Sequence, residues 1–152
     1  MQLEHAMTYR LDVRGPVKST DASIAAPRRQ FWQMERATLE GQRIHATTPS
    51  PGIDWFTPHH DGFGRPHVRI PFQTNDGAVV LLEYRGIVHA SSAFTKAVAS
   101  NQATQWDDQY MRMAMMFETD SSRYQWLTES LFIARGRLLA AFSLEYEVYR
   151  VT

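Results

Sequence analysis

At 152 residues, 43% hydrophobic and 21% charged, the chain has the size and composition of one globular domain, and not of a disordered, collagen-like or coiled-coil protein. Sixteen basic residues balance sixteen acidic ones for a formal net charge of zero, which removes the sequence-independent attraction on which nucleic-acid binding rests. With no cysteine, disulfides, a thiolate nucleophile and Cys-ligated zinc or iron–sulfur centres are excluded.

The opening MQLEHAMTYR lacks the apolar run of a secretory signal, and nowhere do about eighteen apolar residues stand together, so the expected location is the cytoplasm, with no membrane partner. Met7, Tyr9, Leu11 and Val13 alternate with polar residues, the period of a half-buried strand, and Gly15-Pro16 is expected to end it. Residues 17–27, rich in Ser, Ala and Pro, read as a long loop or irregular strand. Strand patterns follow over 31–39 and 43–47, closed by Pro49-Ser50-Pro51-Gly52. Residues 53–60 read as irregular.

Residues 67–74 and 78–85, joined through Asn75-Asp76-Gly77, form the clearest hairpin, with Pro71 marking an interruption or an edge. Residues 91–105 carry the only helical spacing, with Phe94, Ala97 and Val98 on one side, weighed evenly against a loop. An extended stretch over 110–118 precedes a compact aromatic turn over 124–127. The last hairpin joins 130–134 to 138–151 with Gly136 at its turn. Eight or more short strands with almost no helix predict an all-β fold, a single antiparallel β-barrel domain spanning 1–152 with at most one short helix. Such a barrel is wide enough inside for side chains or one small ligand.

Several turns and strand ends together resemble the domain-of-unknown-function family numbered 3237. They are Arg28-Arg29 ahead of a strand ending Leu39-Glu40-Gly41, then Pro51-Gly52-Ile53-Asp54-Trp55, Asp61-Gly62, and Arg69 six residues before Asn75-Asp76-Gly77. Arg85-Gly86, Tyr110-Met111-Arg112, Phe117-Glu118-Thr119, Tyr124-Gln125-Trp126-Leu127, Leu131-Phe132 and Tyr146-Glu147-Val148-Tyr149 continue the match. The resemblance implies a lipocalin-like barrel with an enclosed pocket and a tendency to form homo-oligomers. Some relatives look like cofactor-independent lyases of carboxylated, lignin-derived aromatics. Departures from the family pattern lie at Ile53, at Ile70-Pro71 after Arg69, and at Met113 after Arg112, which points to a greasier pocket.

Asp54, beside Trp55 at a barrel mouth, is a candidate acid or base if the aromatic wall raises its pKa; its structural alternative is a turn-forming carboxylate. Arg69 and Arg112 are candidates to hold a ligand carboxylate, against structural ion pairs to Glu118, Asp76 or Glu83, or plain exposure. The sixteen basic residues include only two lysines, Lys18 and Lys96, a bias that genomic base composition also explains. Tyr84, Tyr110 and Tyr146 offer phenols or merely apolar wall. His45 is a further acid–base candidate, whereas His59-His60-Asp61 with His67 fits a solvated loop better than a metal site. Met113 with its neighbouring methionines, and Trp55, supply wall for a flat ligand.

No phosphate loop or nucleophile elbow is present, and no metal or cofactor is expected. The functional expectation is a cofactor-free lyase, decarboxylating an aromatic acid with or without opening a ring. Asp54, His45, Tyr84 and Tyr146 are its catalytic candidates; Arg69, Arg112, Trp55, Tyr110 and Met113 are its substrate-binding ones. The alternatives are a carrier of the same fold, or an isomerase or cyclase.

Overall fold

The alternating pattern of the first strand continues into a ring of antiparallel strands in the computed structural model, which describes residues 1–20, 28–59 and 61–152, the Lys18 side chain apart. In chain order these are β1 (Leu3–Ser19), β2 (Gln30–Glu40), β3 (His45–Thr47), β4 (Gly52–Pro58), β5 (Phe63–Arg65), β6 (His67–Thr74) and β7 (Val79–His89). Helix α1 (Ser92–Ser100), β8 (Tyr110–Glu118), a 3₁₀ turn (Ser122–Leu127), β9 (Phe132–Ala140) and β10 (Ser143–Val151) complete it. The ring closes because β1 pairs with both β10 and β2. Strands β3 and β4 share one rank between β2 and β6, and β5 lies in line with β6 against β7. The ten strands therefore form a barrel of eight ranks.

The lumen is filled unevenly. At one end Tyr124, Trp126 and Leu127 of the 3₁₀ turn are buried beneath Phe72, Phe117 and Phe132, with the Phe117 and Phe132 rings edge-to-face at 5.1 Å. Asp76 ties this floor down, accepting hydrogen bonds from Tyr124 Oη at 2.8 Å and from Arg123 at 3.0 Å. Each fully buried Leu, Val or Phe here contributes about 1.5–3 kcal/mol relative to exposure. At the other end α1 lies over the barrel. Ser91 caps its first turn by accepting from the Phe94 N–H, and Asn101 ends it in the left-handed region at φ 53°. Reciprocal hydrogen bonds between Thr104 and Leu138 then fasten the following segment to β9.

The structure corrects several sequence expectations. Gly15-Pro16 does not end β1; two extra residues between Arg14 and Lys18 bulge against β2, and the strand continues to Ser19. Residues 52–58 are a strand, whose buried positions carry Gly52, Asp54 and Thr57, so no aliphatic alternation announces them. Gly136 lies inside β9; the β9–β10 turn is at Ala141 and Phe142, the latter with φ 63°. The segment expected as a loop over 17–27 falls outside the described residues beyond Thr20. Pro71 sits on β6 between its contacts with β4 at 68–69 and β3 at 73–74, where the neighbouring rank is broken.

Candidate active site

Strand register brings four polar side chains to the middle of the lumen. Asp54 on β4 is the partner of Trp32 on β2 and of Val68 on β6, and Val68 pairs in turn with Tyr84 on β7. Tyr9 on β1 pairs with Tyr146 on β10. The rings of Tyr9 and Tyr146 stack at 5.7 Å, and Tyr84 lies 5.9 Å from Tyr9 and 6.3 Å from Tyr146. Gly136 makes room for this group, since a Cβ there would stand 2.4 Å from Tyr146 Cε1.

Beside this cluster the lumen opens into a cavity of about 260 Å³. Trp32, Met34, Phe56 and Met111 supply much of its wall, α1 brings Phe94 and Val98 across it, and Phe142 stacks 6.2 Å from Trp32. A dry cavity of about 150 Å³ accommodates benzene, so the space suits a one- or two-ring molecule. Of the residues that line it, Asp54 and Tyr146 have ionisable side chains, and the rest are apolar.

Asp54 is 8% exposed and has no ion-pair partner among the described residues. Burial pushes its carboxyl up to about 7, against the smaller opposing effect of the His67 backbone N–H, which donates to Oδ1 at 2.8 Å. Near neutrality it is therefore a proton reservoir, able to give or take a proton inside an apolar chamber. The three phenols move the other way from reactivity: burial holds each well above the usual tyrosine range, and the Asp54 charge adds to the effect. They act as neutral hydrogen-bonding groups. Tyr9 Oη is enclosed without a well-formed hydrogen bond, with the Tyr84 hydroxyl as its electrostatic neighbour.

The structure brings Asp54, Tyr84 and Tyr146 together and separates the other sequence candidates from them. His45 stands on the outer face of β3, its Nδ1 2.6 Å from Glu40. Arg69 points outward from β6 and pairs with Glu83 at 3.0 Å, one of the structural alternatives. Arg112 faces out from β8, donates to the Met111 carbonyl at 3.0 Å and lies 5.0 Å above the Tyr110 ring. Tyr110 is 47% exposed, and Trp55 is 50% exposed against Phe31. Met113 is packed in the core, while Met111 is the methionine at the cavity. The expectation of inward guanidinium groups is thus corrected: an unpaired Arg in this lumen would lose its hydration without compensation. Among the described residues no three His, Asp or Glu side chains converge on a metal-sized site; His60 lies outside them. His67 Nε2 contacts Glu83 at 2.9 Å.

Sequence reasoning missed Tyr9, Trp32, Phe56 and Phe142 as site residues. Tyr9 was legible only as core, because alternation gives the face and not the depth; Phe142 reaches the cavity from a turn.

A family model described as "Protein of unknown function (DUF3237)" matches residues 1–151. UPF0311 protein CA_C3321 of Clostridium acetobutylicum is 25% identical over 133 residues, 88% of this chain and 84% of that protein. Among solved structures, a beta-barrel like protein (ABAYE2633) from Acinetobacter baumannii superposes with a TM-score of 0.82 at 25% identity, over 99% of this chain and 96% of that one. An enzyme from Penicillium herquei shares the fold at a TM-score of 0.68 and 18% identity, over 99% and 94% of the two chains.

Proposed function

The chain belongs to the DUF3237 family of proteins of unknown function, and for this member we propose a cofactor-independent lyase that decarboxylates a small carboxylated phenolic ether, with Asp54 as the proton donor. One observation carries the reading: a single carboxyl group, poised near pH 7, projects into an otherwise apolar cavity sized for one or two rings. That a protein of this fold is described as an enzyme is consistent with a catalytic use of the lumen.

The apolar wall supplies the first contribution. A substrate carboxylate loses hydration on entering, whereas the transition state for CO₂ loss spreads that charge into the ring system. Arg69 and Arg112 stay outside, so no guanidinium stabilises the ground state and slows cleavage. The carbon–carboxylate bond breaks, and its electron pair forms a carbon–carbon double bond. The adjacent carbon–oxygen bond breaks, and the departing phenoxide takes the Asp54 proton. CO₂ leaves, and Asp54 recovers one proton from solvent. Tyr146, neutral at the cavity wall, is placed to donate a hydrogen bond to a substrate oxygen.

The test is incubation of the purified protein with a panel of carboxylated phenolic ethers, followed by chromatography and mass spectrometry. Loss of CO₂ with release of a phenol, abolished in Asp54→Asn, is the expected result. Ligand-induced thermal stabilisation with substrate recovered intact would replace the lyase with a carrier, and conversion without mass loss would replace it with an isomerase.

A further inference from the structure

The outer face of β7–β9 carries an excess of apolar surface. Seven of the thirteen exposed large apolar side chains among the described residues stand on these strands or at Leu131 just before β9, and Met116 and Leu131 are each 66% exposed. Such concentrations mark interaction sites. Charge on this face is sorted as well. Tyr84, Met115 and Phe132 are register partners and form one line across the three strands. On one side of that line the outward charges include Arg85, Arg112, Arg135 and Arg137; on the other are Glu83 and Glu118, with Glu129 in the bend that precedes β9.

The two halves are complements of each other. Counting outward from the line, Arg112 stands as far from Met115 as Glu118 does, and small Ala114 matches prominent Met116. On β7, Arg85 matches Glu83, and Ile87 matches Leu81. Beside β9, Ile133 matches Leu131. A second copy turned over about an axis along this line would lay each strand antiparallel on its own equivalent. Arg85 then meets Glu83 and Arg112 meets Glu118, Ile87 and Ile133 meet aliphatic side chains, and Met116 falls over the partner copy's alanine, while Arg137 keeps Glu145 within the chain. Two-fold contacts require this reciprocity, in which each residue touches the match of its own match. Among the described residues, Arg85, Arg112, Glu118 and Glu129 have no ion pair within the chain, so their counter-charges are left to come from outside it. Arg112 and Arg135 are also cross-strand neighbours; Glu147 pairs with Arg135 at 2.7 Å, whereas Arg112 has no acid of its own chain among the described residues.

We infer that the outer face of β7–β9 is the self-complementary interface of a homodimer, with Arg112 of each copy against Glu118 of the other. The inference goes beyond the lyase reading and does not depend on it.

Sedimentation velocity and light scattering on the full chain test it. The wild type is expected to run at twice the chain mass at micromolar concentration. Arg112→Glu and Glu118→Arg, each placing like charges against each other, are expected to weaken self-association about a hundredfold or more. Mixing the two variants restores opposite charges at both contacts, so a heterodimer forms from two chains that do not dimerise alone, which also shows that both are folded. A monomeric wild type overturns the inference. So does a dimer indifferent to both substitutions, or two monomeric variants that fail to pair on mixing.

Discussion

The His67 backbone N–H and the Asp54 carboxyl are joined at 2.8 Å across the β4–β6 contact, and this is the hydrogen bond that steadies the buried acid. Burial outweighs the bond and leaves the carboxyl near 7 instead of in the ordinary carboxylate range. The folded protein therefore holds a proton that the unfolded chain releases at lower pH, and the sign of the linkage follows. Between about pH 4 and 7 the native state binds more protons, so Asp54 makes folding less favourable as pH rises through that window. Replacing it by Asn keeps the acceptor for His67 and removes the charge. Denaturant unfolding of Asp54→Asn is expected to match wild type at pH 4 and to exceed it by a few kcal/mol at pH 8. Equal stabilities at pH 8 would show that water reaches the carboxyl.

In the proposed lyase the same group is expected to set the pH profile of turnover. A donor with a pKa of about 7 loses its proton as pH rises, so kcat is expected to fall about tenfold per unit on the alkaline side. Asp54→Asn is expected to lose at least about a hundredfold in kcat while retaining ligand affinity. A profile rising with pH would make Asp54 a base.

Arg69→Ala and His45→Ala test the outer residues. Arg69 belongs to an exposed ion pair and His45 to an exposed hydrogen bond, both outside the cavity, and each substitution is expected to change stability by less than about 1 kcal/mol and turnover by less than about twofold. Steady-state kinetics showing a hundredfold loss for Arg69→Ala would mean that this arginine turns inward with substrate bound.

Gly136→Ala adds a methyl 2.4 Å from the Tyr146 ring. Overpacking of this kind costs about 1–3 kcal/mol, read by chemical denaturation, and moves the phenol out of place. Val98→Trp fills the cavity from α1 instead. Its expected signature is a KM raised about tenfold or more with stability within about 1.5 kcal/mol of wild type.

Much of this architecture is written in alternation. Met111, Met113, Met115 and Phe117 define the inner face of β8, and Val68, Ile70 and Phe72 that of β6. The same parity decides Arg69 and Arg112: each stands between two inward apolar residues, and turning it into the lumen would expose both neighbours. The resemblance to a family drew attention to those arginines, while the period of two placed them outside. Asp54 is the reverse case. Its strand shows no apolar alternation, so its inward direction depends on pairing with β2 and β6, which lie far away in sequence. The cavity itself was not legible, because Trp32, Phe94 and Phe142 meet only when three separate elements converge.

The aromatic floor under Tyr124, Trp126 and Phe132 divides the labour of the barrel. Packed rings seal that end, so a side chain that lines the chamber at the opposite end can be exchanged without disturbing the seal.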